Sequence, residues 1–398
     1  MNTHAANNKQ GHSSVASTGT EFVVVWDGSH AEGYGYGGFG ILGQRYDSGG
    51  NPLGTEFRVN TYTTGTQQHP AVGANTSGTF VVVWESGTFG CGPPPCQPPP
   101  NGKVMGQRYL ASGAPVGPEF QVNTYSVSYQ RYPMVAVAPS GAFLVVWSPA
   151  GGQAPPGPPD VVARFYDSSG VPQGPEFLVN TYWTFSQTAG SVAADPAGNF
   201  VVVWTDSRYV SVDVVGQRFS ASGAPMGPEF RVNSYDPGSQ SGPAVATDPL
   251  GNFIVAWADE FSGSPPEWGL SGRRFASNGA PLGAEFRVNT STTVGNYDPA
   301  IAVDAAGNFV VAWVIAPTPG TGDVFGQRFS SLGVPSGPEF RINTTTVGWQ
   351  RHPSVASTPD GTFLITWDTG PNGLVPDDVY GQRFGGVFPV ELQDFRLK

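Results

Sequence analysis

Phe200-Val201-Val202-Val203-Trp204 carries no polar residue, the pattern of a strand covered on both faces rather than one with a face turned to water. Near copies of it stand at residues 22–26, 80–84, 143–147, 253–257, 309–313 and 363–367, making seven. Their tryptophans, at 26, 84, 147, 204, 257, 313 and 367, lie 58, 63, 57, 53, 56 and 54 residues apart, the length of a four-stranded propeller blade or slightly more.

Working outward, each run is preceded by a segment such as Pro243-Ala244-Val245-Ala246-Thr247 and a turn such as Asp248-Pro249-Leu250-Gly251-Asn252, whose glycine supplies the positive φ of a tight hairpin. After the tryptophan come a loop of variable length, a third strand like Val215-Gly216-Gln217-Arg218-Phe219, a Gly- and Pro-bearing turn, and an outer strand like Glu229-Phe230-Arg231-Val232-Asn233. Residues 1–398 therefore read as one all-β domain, a seven-bladed β-propeller of four-stranded antiparallel blades. Met1-Asn2-Thr3 matches the tail of an outer strand, and Asp394-Phe395-Arg396-Leu397 aligns with Glu339-Phe340-Arg341-Ile342. Pairing of the N- and C-terminal segments is thus expected to close the ring and seal its sheet edges.

Composition narrows the partners. Nineteen Lys and Arg against 30 Asp and Glu give a net charge of -11, so a nucleic-acid backbone would be repelled and no nucleic-acid partner is expected. The longest apolar runs are five or six residues, too short for a membrane span. Residues 1–10 lack the apolar core of a signal peptide, so either a leader has been removed or the chain was never exported. Cys91 and Cys96 flank Gly-Pro-Pro-Pro in one loop, and a disulfide that staples this loop is expected; half of a metal site is the alternative.

The composite pattern, an FVVVW-like strand, then GQRF, then GxEFxVNT, resembles the repeat of secreted or cell-surface bacterial proteins of generally uncharacterised function. The resemblance covers essentially the whole chain. It implies a propeller placed outside the cell and implies no particular chemistry.

Some repeated residues have a structural explanation. Third-strand arginines (Arg45, Arg108, Arg164, Arg218, Arg274, Arg328, Arg383) and outer-strand acids (Glu56, Glu119, Glu176, Glu229, Glu285, Glu339, Asp394) are expected to pair across one hairpin. The tryptophans are expected to pack blade against blade. An amide recurs where the chain crosses between blades, at Gln10, Gln67, Gln130, Gln187, Gln240, Asn296 and Gln350, and is assigned to backbone groups at that turn.

The candidate surface is the face bearing the loops after each tryptophan and the crossings, because length varies there (27–40, 85–103, 148–160, 205–213, 258–270, 314–322, 368–378). Two residues after each amide the copies diverge to His12, His69, Tyr132, Ala189, Gly242, Asp298 and His352, positions expected at the mouth of the central channel. His69, His352, Tyr132 and Asp298 are taken as ligand-binding candidates, with Trp183, Trp349 and Trp268 as aromatic faces for a sugar ring or a protein. No His-x-His or HExxH spacing supports a metal site, and no nucleophile elbow or nucleotide loop is assignable. Acids on this face (Asp27, Glu32, Glu85, Asp206, Asp259, Glu260, Glu267, Asp368, Asp377, Asp378) leave open glycosidic acid–base work or a Ca2+ site; no other cofactor is expected. The leading reading is a binding or scaffold module that recognises glycans or proteins on the variable face. A carbohydrate-active hydrolase or lyase stands second, and a purely structural subunit of a larger assembly third.

Overall fold

The computed structural model describes residues 10–29, 39–63, 65–87, 102–125, 128–150, 160–182, 184–208, 211–234, 238–261, 267–290, 295–316, 321–370, 378–385 and 393–395. Seven sheets, each of four sequential antiparallel strands, occupy residues 10–58, 66–121, 130–178, 187–231, 240–287, 295–341 and 349–395, numbered here as blades 1 to 7. In blade 4 the strands are Gln187–Ala194, Phe200–Asp206, Asp213–Phe219 and Phe230–Arg231, running from the channel outward. Among the described residues no helix is long and apolar enough to cross a membrane.

The cores lie between blades. Trp204 shares a buried cluster with Leu144 and Val146 of blade 3, and Trp147 shares one with Val81 and Val83 of blade 2. An FVVVW strand is apolar throughout because each of its faces meets a neighbouring sheet.

The other motifs have equally local causes. In GQRF the glycine lies beneath the outer-strand phenylalanine: a Cβ on Gly216 would stand 2.7 Å from Phe230 Cζ, and Gly43, Gly106 and Gly272 are covered by Phe57, Phe120 and Phe286 in the same way. In VNT the asparagine continues the ladder after the short outer strand ends. Its Oδ1 accepts the N–H at the start of the third strand, 19 residues back, as in Asn233 to Val214 (2.9 Å) and Asn123 to Val104 (2.8 Å).

Two repeat assignments change. In blades 2 and 3 the acid reaches the preceding blade, where Glu119 accepts the N–H groups of Thr61 and Tyr62 (2.7 and 3.2 Å) and Glu176 those of Thr124 and Tyr125 (2.7 and 3.1 Å). The arginine reaches the following blade, with Arg45 Nη1 donating to Ser112 O (2.7 Å) and Arg218 Nη1 to Ser277 O (2.7 Å). The carboxylate meets two adjacent free amide hydrogens there, which a cross-strand guanidinium would not replace. Arg164 is also shifted by one position: strand pairing sets Tyr166 opposite Phe143 as Phe219 is opposite Phe200, so Phe165 holds the arginine position in blade 3.

Phe395 pairs with Gly381 on the outer edge of blade 7, while Met1-Asn2-Thr3 lies outside the described residues. Blade 1 meets blade 7 through the contacts used elsewhere in the ring: Val15 N–H donates to Ser354 Oγ (3.1 Å) as Val72 N–H donates to Ser14 Oγ (3.2 Å).

Candidate functional site at the channel mouth

Every innermost strand is interrupted at the same place. Its pairing with the second strand slips between Gly11 and Ser14, Gln68 and Ala71, Ser241 and Ala244, Tyr297 and Ala300, and Arg351 and Ser354, the signature of a bulge. At this bulge His12, His69, Tyr132, Asp298 and His352 take left-handed φ values of 48–53°, and Gly242 takes 59°. They are the only non-glycine residues with positive φ among the described residues. Each such residue costs roughly 1–3 kcal/mol of backbone strain, and such strain gathers at functional sites.

The bulges bring these residues around a cavity of about 490 Å³ at one mouth of the channel, with Gly190 and Gly242 on the side of blades 4 and 5. The polar groups are one-sided. Rings form an arc across blades 7, 1, 2 and 3: His352 and His12 have centroids 5.1 Å apart, His12 and His69 4.1 Å, and His69 and Tyr132 5.4 Å.

Behind the arc stand three carboxylates, each directly after a repeat tryptophan: Asp368, Asp27 and Glu85, whose side chains are 0%, 3% and 1% exposed. Each serves its own blade and the next. Asp368 Oδ2 lies 2.8 Å from His352 Nδ1 and accepts the His12 N–H at 2.9 Å. Asp27 Oδ2 lies 2.9 Å from His12 Nδ1 and accepts the His69 N–H at 2.9 Å. Glu85 Oε1 accepts the Tyr132 N–H at 2.7 Å and lies 3.2 Å from His69 Nδ1, while its Oε2 accepts Gln68 Nε2 at 3.1 Å.

These contacts set the proton affinities. Burial works against a proton on His12, but the hydrogen bond and charge of Asp27, with the charge of Asp368, outweigh it and hold the imidazole above its usual range. His352 is raised by the same balance, with Asp368 as its partner and Asp298 assisting. The Asp298 carboxyl is also raised, first by desolvation and then by Asp368, against the opposing pull of His352 and Arg351. Its surface is open to the channel. Protein nevertheless encloses the channel, so much of the carboxylate's field runs through poorly polarisable material.

The structure thus gathers His69, His352, Tyr132 and Asp298 as expected and adds His12 and the three buried acids. Asp27, Glu85 and Asp368 are strand residues rather than members of a loop-borne acidic cluster, because the second strand continues past its tryptophan. Asp206 and Asp259 are likewise buried and engaged, with Arg208 and with Ser271 and Gln240. A signal for the acids existed: an acid follows the tryptophan in only three copies, and those copies lead into His12, His69 and Tyr132.

Trp349 does not line the cavity. It is half-buried at the boundary between blades 6 and 7, where a Cβ on Gly322 would come within 3.0 Å of its ring. Trp268 is 36% exposed in the third strand of blade 5, and its carbonyl accepts Asn296 Nδ2 at 2.9 Å. Trp183, Cys91, Cys96, Glu32 and Asp377 lie outside the described residues, as do the side chains of Glu267 and Asp394.

The recurring amide serves backbone groups at the turn, Gln130 Nε2 donating to Ser128 O (2.9 Å) and Gln350 Nε2 to Val347 O (3.3 Å), and it has a second role besides. Gln67, Gln130 and Gln350 each accept the indole N–H of their own blade's tryptophan, Trp84, Trp147 and Trp367, at 2.8–2.9 Å. A buried indole N–H needs an acceptor, and the Gln side chain is long enough to reach it. Among the described residues no group of three or more His, Cys, Asp or Glu side chains is arranged to hold a metal ion.

No family model matches the sequence, and no curated protein matches it. Solved structures do share the fold. A protein of unknown function from Dyadobacter fermentans superposes with a TM-score of 0.56 at 10% identity over 98% of this chain and 96% of that one. An ulvan lyase, a polysaccharide lyase, gives 0.56 at 11% identity over 98% and 97%. An α-L-arabinofuranosidase of Fusarium graminearum in complex with arabinobiose gives 0.52 at 15% identity over 79% and 92%. At such identities the likeness is one of fold alone; the seven blades are counted from this chain's own sheets.

Proposed function

We propose that the protein binds a carbohydrate in the cavity at the channel mouth. The observation that carries this reading is that the five positive-φ non-glycine residues found among the described residues line one cavity of about 490 Å³ and supply it with three imidazoles, a phenol and a carboxyl group. A sugar presents hydroxyl groups to hydrogen-bond and C–H faces to pack on rings, and this mixture meets both needs. Fold neighbours that act on polysaccharides or hold arabinobiose lend support at the level of architecture. The repeat's resemblance to secreted and cell-surface proteins suits an extracellular setting for such a ligand.

A glycan array with the intact protein tests the reading. Binding that is retained by Trp268→Ala and lost in both His12→Asn and His69→Asn supports it. Asparagine tolerates left-handed φ, so these variants keep the bulge. Binding unaffected by either His variant sinks it.

One observation favours a second reading, acid–base cleavage of the bound sugar. His12–Asp27 and His352–Asp368 are carboxylate-backed imidazoles with raised proton affinity, beside the raised carboxyl of Asp298, as proton transfer near neutral pH requires. Release of new reducing ends or unsaturated termines from a bound polysaccharide, lost in Asp368→Asn, would support it.

A further inference from the structure

We infer that the saccharide at this mouth is the end of a longer chain, which leaves the cavity across blades 4 and 5 and stacks a further sugar ring on Phe185. The inference rests on the carbohydrate reading above and adds the ligand's length and direction. The cavity is lined by side chains on one side and open on the other. His352, His12, His69 and Tyr132 set rings across blades 7, 1, 2 and 3, and Asp298 stands on blade 6. At the blade 5 bulge the same left-handed position is Gly242, φ 59°, and a Cβ built there meets nothing within 4 Å. Gly190 lines the cavity from blade 4, and a Cβ there would lie 2.5 Å from Pro243 Cγ, so that strand cannot place a side chain at this point without moving the proline. The support behind the bulge changes as well. The N–H groups of His12, His69 and Tyr132 are held by buried carboxylates of the preceding blades, whereas the Gly242 N–H donates to the hydroxyl of Thr205 at 3.1 Å. A passage without side chains is left over blades 4 and 5, wide enough for a chain of sugar rings to leave by it.

An aromatic platform stands beside this passage. The crossing into blade 4 puts Phe185 two residues before Gln187, where the innermost strand begins. In sequence, the equivalent positions of the other copies are Asn8, Gly65, Ser128, Gly238, Val294 and Gly348, so the repeat itself requires no ring here. Phe185 is 49% exposed and stacks on Tyr182, with ring centroids 6.4 Å apart and planes 16° from parallel. Tyr182 is held in turn by Arg208, whose guanidinium lies 4.9 Å from the ring centroid and is anchored by Asp206 and by Glu229 (2.9 Å). An exposed ring on a fixed support can pack against the C–H face of a sugar without being ordered by it. Five residues separate Phe185 from Gly190, a span of at most roughly 18 Å, so one oligosaccharide reaches both.

Calorimetry on the intact protein tests this with length ladders of xylo-, arabino-, galacto- and galacturono-oligosaccharides of two, four and six units. In a ladder that binds, the hexamer should bind roughly tenfold or more tighter than the dimer, the gain of an added stacked ring. Phe185→Ala should bring the hexamer down to about the affinity of the dimer and leave the dimer unchanged, with the same Tm and circular dichroism. Gly242→Asn should weaken the hexamer to the same level. Asparagine accepts left-handed φ and its Cβ has room, so this variant keeps the fold while filling the passage. Equal affinity along every ladder that binds, or a hexamer indifferent to either variant, overturns the chain inference and leaves the carbohydrate reading intact. Binding by no member of any ladder, with the protein folded, removes both.

Discussion

Asp27 Oδ2 accepts the backbone N–H of His69, 42 residues later and one blade further round the ring, at 2.9 Å. The same oxygen sits 2.9 Å from Nδ1 of His12 in its own blade. One buried carboxylate therefore fixes the ring of one site residue and the backbone of the next. Replacing Asp27 by Asn keeps an acceptor for the N–H but removes the charge beside the imidazole. The pKa of His12, followed by NMR of its ring protons, should fall; an unchanged titration would contradict the assigned pairing.

The linked stability has a definite sign. His12 and His352 bind protons more tightly folded than unfolded, so their contribution is fully present below the unfolded value near 6.5 and is lost as pH rises through the higher folded values. The urea midpoint should be higher at pH 6 than at pH 8.5 at constant m-value. In Asp27→Asn/Asp368→Asn the difference between the two pH values should shrink.

Asp298 tests whether the site was built at the expense of stability. Its folded carboxyl is raised, so its charged form is disfavoured at neutral pH. Asp298→Asn fits the left-handed bulge without that charge and should raise Tm at pH 7 by about 1–3 °C, within the range one surface-accessible group contributes. The gain should diminish as pH falls through the raised folded value of the wild-type carboxyl. A lower Tm at pH 7 would show that Asp298 stabilises the ring.

Gln130 offers a cleaner structural test, away from the cavity. Gln130→Leu leaves the Trp147 Nε1–H buried without its acceptor at 2.8 Å. Denaturant unfolding should show a loss of about 1–3 kcal/mol, the cost of an unsatisfied buried donor. The Trp257 and Trp313 indole nitrogens have no hydrogen-bond partner, so Gln240→Leu should affect its tryptophan far less.

Architecture was legible in the sequence because each blade repeats the same solution to the same packing problem: Phe200 to Trp204 is apolar throughout since two sheets cover it. The partner of a repeated polar residue was not legible. Glu119 and Arg108 look like cross-strand neighbours in one-dimensional order, yet both act between blades, a distance that no local spacing reports. The mouth was half legible. Divergence at His69, Tyr132, Asp298 and His352 stood out against a repeated frame, whereas Asp27, Glu85 and Asp368 were read as loop residues because nothing in their neighbourhood marks where the second strand ends. Trp349 misled for the opposite reason. Its ring packs beside Gly322, away from the cavity.

The bulge in each innermost strand separates two kinds of inheritance. Residues on either side of it are tied to the inter-blade cores, while the left-handed residue itself projects over open space, as a Cβ built at Gly242 shows by meeting nothing within 4 Å. Six such positions, already filled by His, Tyr, Asp and Gly in one chain, can be exchanged without retuning the wheel that carries them. A lineage built on this repeat is thereby free to change what it captures one spoke at a time.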